Sequence, residues 1–431
     1  MKLAINGGAP VRKDPFPPYR VIGQEEKDGA MRVLDSGRLS GFLGAWHEYF
    51  YGGPEVRGLE EEWAKYFSVK HAITVNSATS GLFAAIGAIG IEPGDEVIVT
   101  PYSMSASAVA PLVYGAIPVF ADIEPDHFCL DVESIKRCIT SRTKAIIIVD
   151  LFGLPYDAEA VRAVAKEHGL KIIEDAAQAP YASYKGKFAG TLGDIGIFSL
   201  NYHKHIHCGE GGVIVTDDDE LAERLQLIRN HAESVVVGKG VENISNMLGF
   251  NYRMTELEAA VARAQLKKLA PLAKERQANA AYLTEKLKDL PCLTPPKVRT
   301  GCEHVYYLHA IRYDKERAGV PRDKFIEALK AELPAIQGKE KEGHIRGSYV
   351  KPIYLQPMFQ KRIAMGSGGF PWSAFPASNP SYQPGTAPVC EKMFFEELII
   401  HEHFTPPFSR QDLDDVVAAF YKVWECRGEL A

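Results

Sequence analysis

No two of the seven cysteines are spaced as a pair: Cys129, Cys138, Cys208, Cys292, Cys302, Cys390 and Cys426 are scattered and odd in number. That excludes a disulfide framework and a CxxC zinc site, and it predicts a reducing compartment. No apolar stretch approaches the ~20 residues of a membrane span, and the first residues hold no apolar signal segment. The expectation is a cytoplasmic protein. Charge of one sign is never concentrated, although 24% of residues are charged and the net charge is −6. Neither nucleic acid nor a membrane surface is therefore an expected partner, because both select a basic face. No Gly-x-Gly-x-x-Gly follows the early strand-like runs, which disfavours a dinucleotide-dependent dehydrogenase. Internal repeats and low-complexity tails are absent too.

What remains is a chain of 431 residues, enough for one large α/β domain and a smaller one. Short Ile/Val-rich runs at 96–100, 117–122, 145–150, 170–175, 195–199 and 212–216 read as strands. Near-continuous apolar runs of this kind suit strands covered on both faces, hence a mostly parallel sheet flanked by helices. Residues 157–168 have helical spacing, and Gly169 is the stop signal. Thr255 and Glu258 form a capping-box pattern that opens one long helix, and a second charged helix is expected to follow to about residue 290. Prolines at 291, 295 and 296 mark a linker. The predicted division is a large domain over 1–290, including the N-terminal segment, and a small α+β domain over 291–431. Within the latter, residues 366–388, rich in Gly, Pro, Ser and aromatics, read as a long ordered loop.

In doubly wound sheets, ligands collect outside the carboxyl ends of the strands. Candidate groups fall at such ends. Small hydroxylated residues 77–80 open an apolar helix, where free N–H groups suit a phosphate, although on this segment alone a plain N-cap is the better explanation. Asp175 ends a buried-looking strand, where a carboxylate is costly unless it faces a cation. Ser199 ends another strand. Lys204 follows it by five residues and precedes Gly209 by five, placing one amine between a hydroxyl and a glycine-rich turn. A free lysine titrates near pH ~10.4, so it acts as a nucleophile only if its surroundings lower that value. A phosphate cradle, a carboxylate for a pyridine nitrogen and an aldehyde-binding lysine are together the parts of a pyridoxal phosphate site.

On these residues the chain resembles the DegT/StrS family of sugar aminotransferases, a branch of fold-type I pyridoxal phosphate enzymes. The resemblance is carried by six collinear motifs: Ser-Ala-Thr-Ser-Gly-Leu-Phe-Ala-Ala at 77–85, Pro-Gly-Asp-Glu-Val-Ile-Val-Thr-Pro at 93–101, Glu-Asp-Ala-Ala-Gln at 174–178, Gly-Asp-Ile-Gly-Ile-Phe-Ser at 193–199, Gly-Glu-Gly-Gly at 209–212, and Gly-Phe-Asn-Tyr-Arg-Met-Thr-Glu-Leu-Glu-Ala-Ala at 249–260. It implies that Lys204 bonds the cofactor and moves the proton, and that Asp175 pairs with the pyridine nitrogen. Gln178 should meet the ring hydroxyl. Ala78, Thr79, Ser80 and Ser199 should hold the phosphate. Asn251 should reach the phosphate of a neighbouring subunit, so a homodimer is implied.

The pattern departs from the family where an aromatic residue usually stacks on the ring. Met104 stands there, with Tyr102 as a substitute if the turn shifts. Tyr354 stands where many relatives carry a histidine near the substrate. Alternate spacing of His203, His205 and His207 would place all three on one face of an extended segment, but the lysine among them argues against a metal site. The implied reaction transfers an amino group from L-glutamate or L-glutamine to a keto-sugar, usually nucleotide-linked, with a ketocyclitol aminotransferase or a pyridoxamine phosphate-dependent sugar dehydratase as the alternatives. Relatives that dehydrate their sugar replace the lysine by histidine, and this chain keeps the lysine. Trp46, Tyr49, Tyr51 and Trp372 are candidate stacking rings for the substrate, with interface packing as the competing role.

Overall fold

The computed structural model describes residues 1–430. After α1 (Gln24–Ser36) and α2 (Pro54–Phe67), strands and helices alternate as the apolar runs predict. They are β1 (His71–Val75), α3 (Ala78–Ala88), β2 (Glu96–Val99), α4 (Ala106–Val113), β3 (Ile117–Phe120), β4 (Thr143–Val149), α5 (Ala158–His168), β5 (Lys171–Asp175), β6 (Ile195–Ser199), β7 (Gly212–Thr216) and α6 (Asp219–Arg229). The sheet runs in the order β1-β7-β6-β5-β4-β2-β3. β2, β3, β4, β5 and β6 pair in parallel, while β7 runs antiparallel to both of its neighbours. Ile173, Ile147, Ile197 and Ile214 are fully buried on these strands, as both-face coverage requires. In this register Asp175 lies beside Val149 and Ile197, at the carboxyl edge of the sheet.

The two helices expected after residue 255 are one, α7 (Glu256–Leu287), running unbroken through Pro271. An interior proline normally kinks or ends a helix. Here both halves bury a stripe: Ala259, Ala262, Leu266 and Leu269 pack with α2 and the large sheet, and Ala280, Leu283 and Leu287 enter a second core. Packing on both sides carries the helix past the proline.

The second core belongs to an antiparallel sheet of β8 (Leu293–Thr294), β9 (His309–Tyr313), β10 (Ile345–Gly347) and β11 (Leu398–His401), in the order β8-β9-β11-β10. Helices α8 (Arg322–Glu332) and α9 (Arg410–Glu425) cover it. The N-terminal residues join this core: Leu3 and Phe16 are buried in it, and Glu332 accepts the N–H groups of Ala4 (2.8 Å) and Val11 (3.0 Å). The loop at 366–388 is ordered against the outer edge of the large sheet. Tyr382 donates its hydroxyl to the Pro118 carbonyl on edge strand β3 at 2.7 Å, and the Trp372 indole donates to Tyr382 at 3.0 Å. An otherwise open edge is thereby covered.

Candidate active site

Three chain crossings at the carboxyl edge of the sheet build the site. At the first, β1 passes into α3 through Ser77, whose hydroxyl caps the helix by accepting the Ser80 N–H at 3.0 Å. The Ser80 hydroxyl is committed to Asn76 (2.6 Å), whereas the Ala78 and Thr79 N–H groups, at the first turn, have no helical acceptor. At the second, β5 ends on Asp175, which is 5% exposed. Its carboxylate accepts the Ser107 hydroxyl from α4 at 2.7 Å and the Ala177 N–H at 3.1 Å. Burial raises this carboxyl above the usual aspartate range, while Ser107, Ala177 and Lys204 pull it back. At the third, β6 ends on Ser199 and a turn brings Lys204 inward, tied by its N–H to the Asn201 carbonyl at 2.9 Å.

Lys204 is 9% exposed, and its Nζ lies 4.6 Å from the centre of the Tyr307 ring. Burial lowers its proton affinity below the usual lysine range, with Tyr349 and Asp175 acting in the opposite sense. Among the described residues no carboxylate forms an ion pair with it, so desolvation is not offset at contact distance. A lysine in this state gives up its proton more readily than a solvated one, which nucleophilic or acid–base work requires.

Gln178 follows Asp175 by three residues, and its Oε1 accepts the Phe152 N–H at 2.8 Å. A cavity of about 640 Å³, with Tyr19, Met104, Tyr307, Arg346, Tyr349 and Glu402 in its walls, lies on the far side of the Tyr307 ring that Lys204 Nζ meets. A slightly larger groove of about 680 Å³ lies against α5 and Ile172, and holds none of these groups.

Several expected residues stand elsewhere. Tyr102 is fully buried and bonds Ser348, so it stacks on nothing in the cavity; Met104 occupies the cavity wall. Tyr354 is also in the core and donates to Glu391. Trp372 belongs to the edge loop, and Trp46, Tyr49 and Tyr51 do not line the cavity. The histidine trio is not on one face: His203 is exposed, His205 is buried and bonds the Val305 carbonyl at 3.2 Å, and His207 is partly buried. The segment is a compact turn, so period-two spacing does not apply. Among the described residues no cluster of three His, Cys, Asp or Glu side chains is arranged to hold a metal. Asn251 is exposed and its Oδ1 accepts from Arg253 at 2.8 Å, outside the cavity of its own chain. Ser107, Tyr307 and Tyr349 carry no sequence signal that marks them.

The profile of the DegT/DnrJ/EryC1/StrS aminotransferase family matches residues 45–379. The spore coat polysaccharide biosynthesis protein SpsC of Bacillus subtilis is 32% identical over 418 residues, covering 95% of this chain and 97% of SpsC. The L-glutamine:2-deoxy-scyllo-inosose aminotransferase of Streptomyces paromomycinus is 32% identical over 430 residues, with 98% and 97% covered. The crystal structure of S. venezuelae DesV in complex with a ketimine intermediate is similar at a TM-score of 0.75 and 32% identity, covering 93% of this chain and 95% of DesV.

Proposed function

Because the chain belongs to the DegT/DnrJ/EryC1/StrS aminotransferase family, whose members use pyridoxal 5'-phosphate, we propose that it moves an amino group from L-glutamate or L-glutamine to the carbonyl carbon of a nucleotide-linked keto-sugar. The observation that carries this reading is the convergence of Lys204, Asp175 and the start of α3 on the carboxyl edge of the sheet, with the Tyr307 ring between Lys204 Nζ and a cavity of about 640 Å³.

The residues fit the cofactor. The free N–H groups of Ala78 and Thr79, with the Thr79 and Ser199 hydroxyls around them, suit its phosphate, and Ser80 would join them only by giving up its bond to Asn76. Gly212 leaves room at that helix start, since a Cβ there would stand 2.6 Å from the Ala78 nitrogen. Asp175 would keep a proton on the ring nitrogen, Gln178 would offer its Nε2 to the ring hydroxyl, and the Met104 thioether would pack on the ring. Once bound, the cofactor supplies the aldehyde that takes up the amino group and the ring that stores an electron pair. The proton work belongs to Lys204. Its amine takes the proton from Cα of the donor amino acid, and in the second half-reaction it delivers a proton to the former carbonyl carbon of the acceptor.

The cavity has room for more than one sugar ring. Arg20, Lys339 and Arg346 stand in its wall; Lys339 pairs with Glu342 and Arg346 with Glu402, while among the described residues Arg20 has no carboxylate partner. That cationic wall supports a diphosphate-bearing substrate. A ketocyclitol is the second reading, favoured by the inosose aminotransferase that matches 98% of this chain.

The active unit in this reading is a homodimer, with Asn251 completing the phosphate site of a second copy. Its support is the exposure of the apolar side chains Leu39, Leu43, Trp46, Val237, Ile244 and Leu248, whose segments meet where Gly238 lies against Trp46 and Ser234 bonds the Gly44 carbonyl at 2.7 Å.

The test is to load the enzyme with the amino group from L-glutamate or L-glutamine and add a panel of nucleotide-linked keto-sugars and ketocyclitols. Return of the cofactor's aldehyde-form absorbance with an aminated product is the expected outcome. Turnover of cyclitols alone selects the second reading, a deoxysugar product means dehydration, and no turnover refutes the proposal. For the dimer, Asn251→Ala should weaken cofactor retention, and a fully active monomer in sedimentation would refute it.

A further inference from the structure

We infer that Tyr349 recognises the keto substrate, donating its phenolic hydrogen to a hydroxyl oxygen on the ring carbon next to the carbonyl. The inference rests on the functional reading above and adds a specificity-determining residue to it.

The argument begins with Gln178. Its Oε1 accepts the Phe152 N–H at 2.8 Å, which fixes the amide so that Nε2 faces Tyr349 at 3.2 Å. An amide nitrogen only donates, so the phenol oxygen is the acceptor in that bond. The Tyr349 O–H hydrogen is then uncommitted, and among the described residues no acceptor takes it. Burial pushes this phenol up to about 12, so it is a neutral donor at any working pH.

The placement of the ring is enforced from three sides. The Tyr349 N–H donates to the Tyr102 hydroxyl at 3.0 Å, and that hydroxyl lies 2.6 Å from the Ser348 hydroxyl. Ser348 has φ of +80°, a left-handed conformation that costs a serine energy and persists only where surroundings hold it. The ring itself is packed edge-on against Phe152 (centroids 5.5 Å apart) and Tyr102 (6.2 Å). Buried tyrosines and a strained residue thus deliver one free donor into the cavity that Tyr307 also lines, and the Tyr307 ring meets Lys204 Nζ at 4.6 Å. A donor built this rigidly beside the reacting amine rejects a substrate that lacks the matching oxygen, because its hydrogen is then left unpaired in a closed site.

The test uses the cofactor-loaded enzyme and its Tyr349→Phe variant, which keeps the packed ring and removes only the hydroxyl. Each half-reaction is followed separately by cofactor absorbance. The probes are L-glutamate or L-glutamine for the first half, and for the second the best keto substrate of the panel with its analogue lacking the adjacent hydroxyl. In the variant kcat/KM of the keto half-reaction should fall about 10- to 100-fold more than that of the donor half. The wild-type preference for the hydroxylated probe should shrink by a similar factor. Equal losses in both halves, or an unchanged preference, would overturn the inference while leaving the aminotransferase reading standing. A wild-type enzyme that aminates no member of the panel overturns both.

Discussion

Lys204 and Asp175 are buried groups of opposite sign at the carboxyl edge of the sheet, yet burial shifts each of them away from its charged form more than the other's field restores it. Groups held in that balance are prepared for chemistry rather than for holding the fold together. Lys204→Ala should therefore leave the fold intact, abolish the visible absorbance of the reconstituted enzyme and lower turnover by about 10³-fold or more, as stopped assays and absorbance spectra would show. Full activity in that variant would remove the lysine from the mechanism. Ser107 reaches the same carboxylate from α4, and a hydrogen bond to a charged group is worth about 1.5–3 kcal/mol. Ser107→Ala should raise the dissociation constant of the cofactor by about 10- to 100-fold in equilibrium dialysis, and an unchanged constant would show that Ser107 does not set the Asp175 carboxylate. Lys204 and Asp175 stand out in the sequence because each follows an apolar run that ends in a recognisable turn, and Gln178 only because the family motif at 174–178 marks it. Ser107, Tyr307 and Tyr349 come from separate elements and meet only through tertiary packing, which no local spacing encodes. Tyr102 and Tyr354 show the converse: rings read as neighbours of the cofactor or substrate are core residues, and the Tyr102 hydroxyl instead clamps residues 348 and 349.

Among the elements, the junction of β7 with α3 carries the most information about the site. Gly212 opens β7 directly beneath the start of α3, and a Cβ on it would stand 2.6 Å from the Ala78 nitrogen and 2.7 Å from the Ser77 carbonyl carbon. Both atoms are backbone, so neither can rotate away. Gly212→Ala should push the helix start outward at a cost of about 1–3 kcal/mol, and it should weaken phosphate and cofactor binding more than it lowers the melting temperature. Unchanged cofactor affinity in the alanine variant would show that the close approach serves packing alone. The glycine is visible in the motif at 209–212, but the reason for it is not, since its neighbour in space is 134 residues away in sequence. The same limit applies to α7. Its capping box is readable at Thr255 and Glu258, whereas its passage through Pro271 depends on two separate cores that grip its two halves.

For the molecule as a whole, buried histidines in and around the antiparallel sheet contribute strongly to the response to acid. His309 and His401 sit opposite each other on β9 and β11, with His309 Nδ1 2.7 Å from His401 Nε2 and His309 Nε2 3.0 Å from the Thr284 hydroxyl. Burial holds His309 and the neighbouring His304 down to about 3, and His403 to about 4, while His401 also lies well below its ordinary range. In the unfolded chain these imidazoles titrate near ~6.5. Because the folded values are the lower ones, the unfolded state binds more protons in acid. The stability is then fully present above pH ~6.5 and declines as pH falls toward the folded values, by up to about 1.4 kcal/mol per pH unit for each histidine. Buried carboxyls raised by desolvation, Asp122, Asp175 and Glu256, act with the opposite sign, so the histidine share is isolated by difference. Urea unfolding at pH 7, 6 and 5 should show the wild type losing stability steadily. His309→Gln should be less stable at pH 7, because it breaks a buried pair, yet its loss per pH unit should be smaller by about 1 kcal/mol. Parallel slopes for the two proteins would mean that this pair is protonated or solvated in the folded state, and that the acid response arises elsewhere.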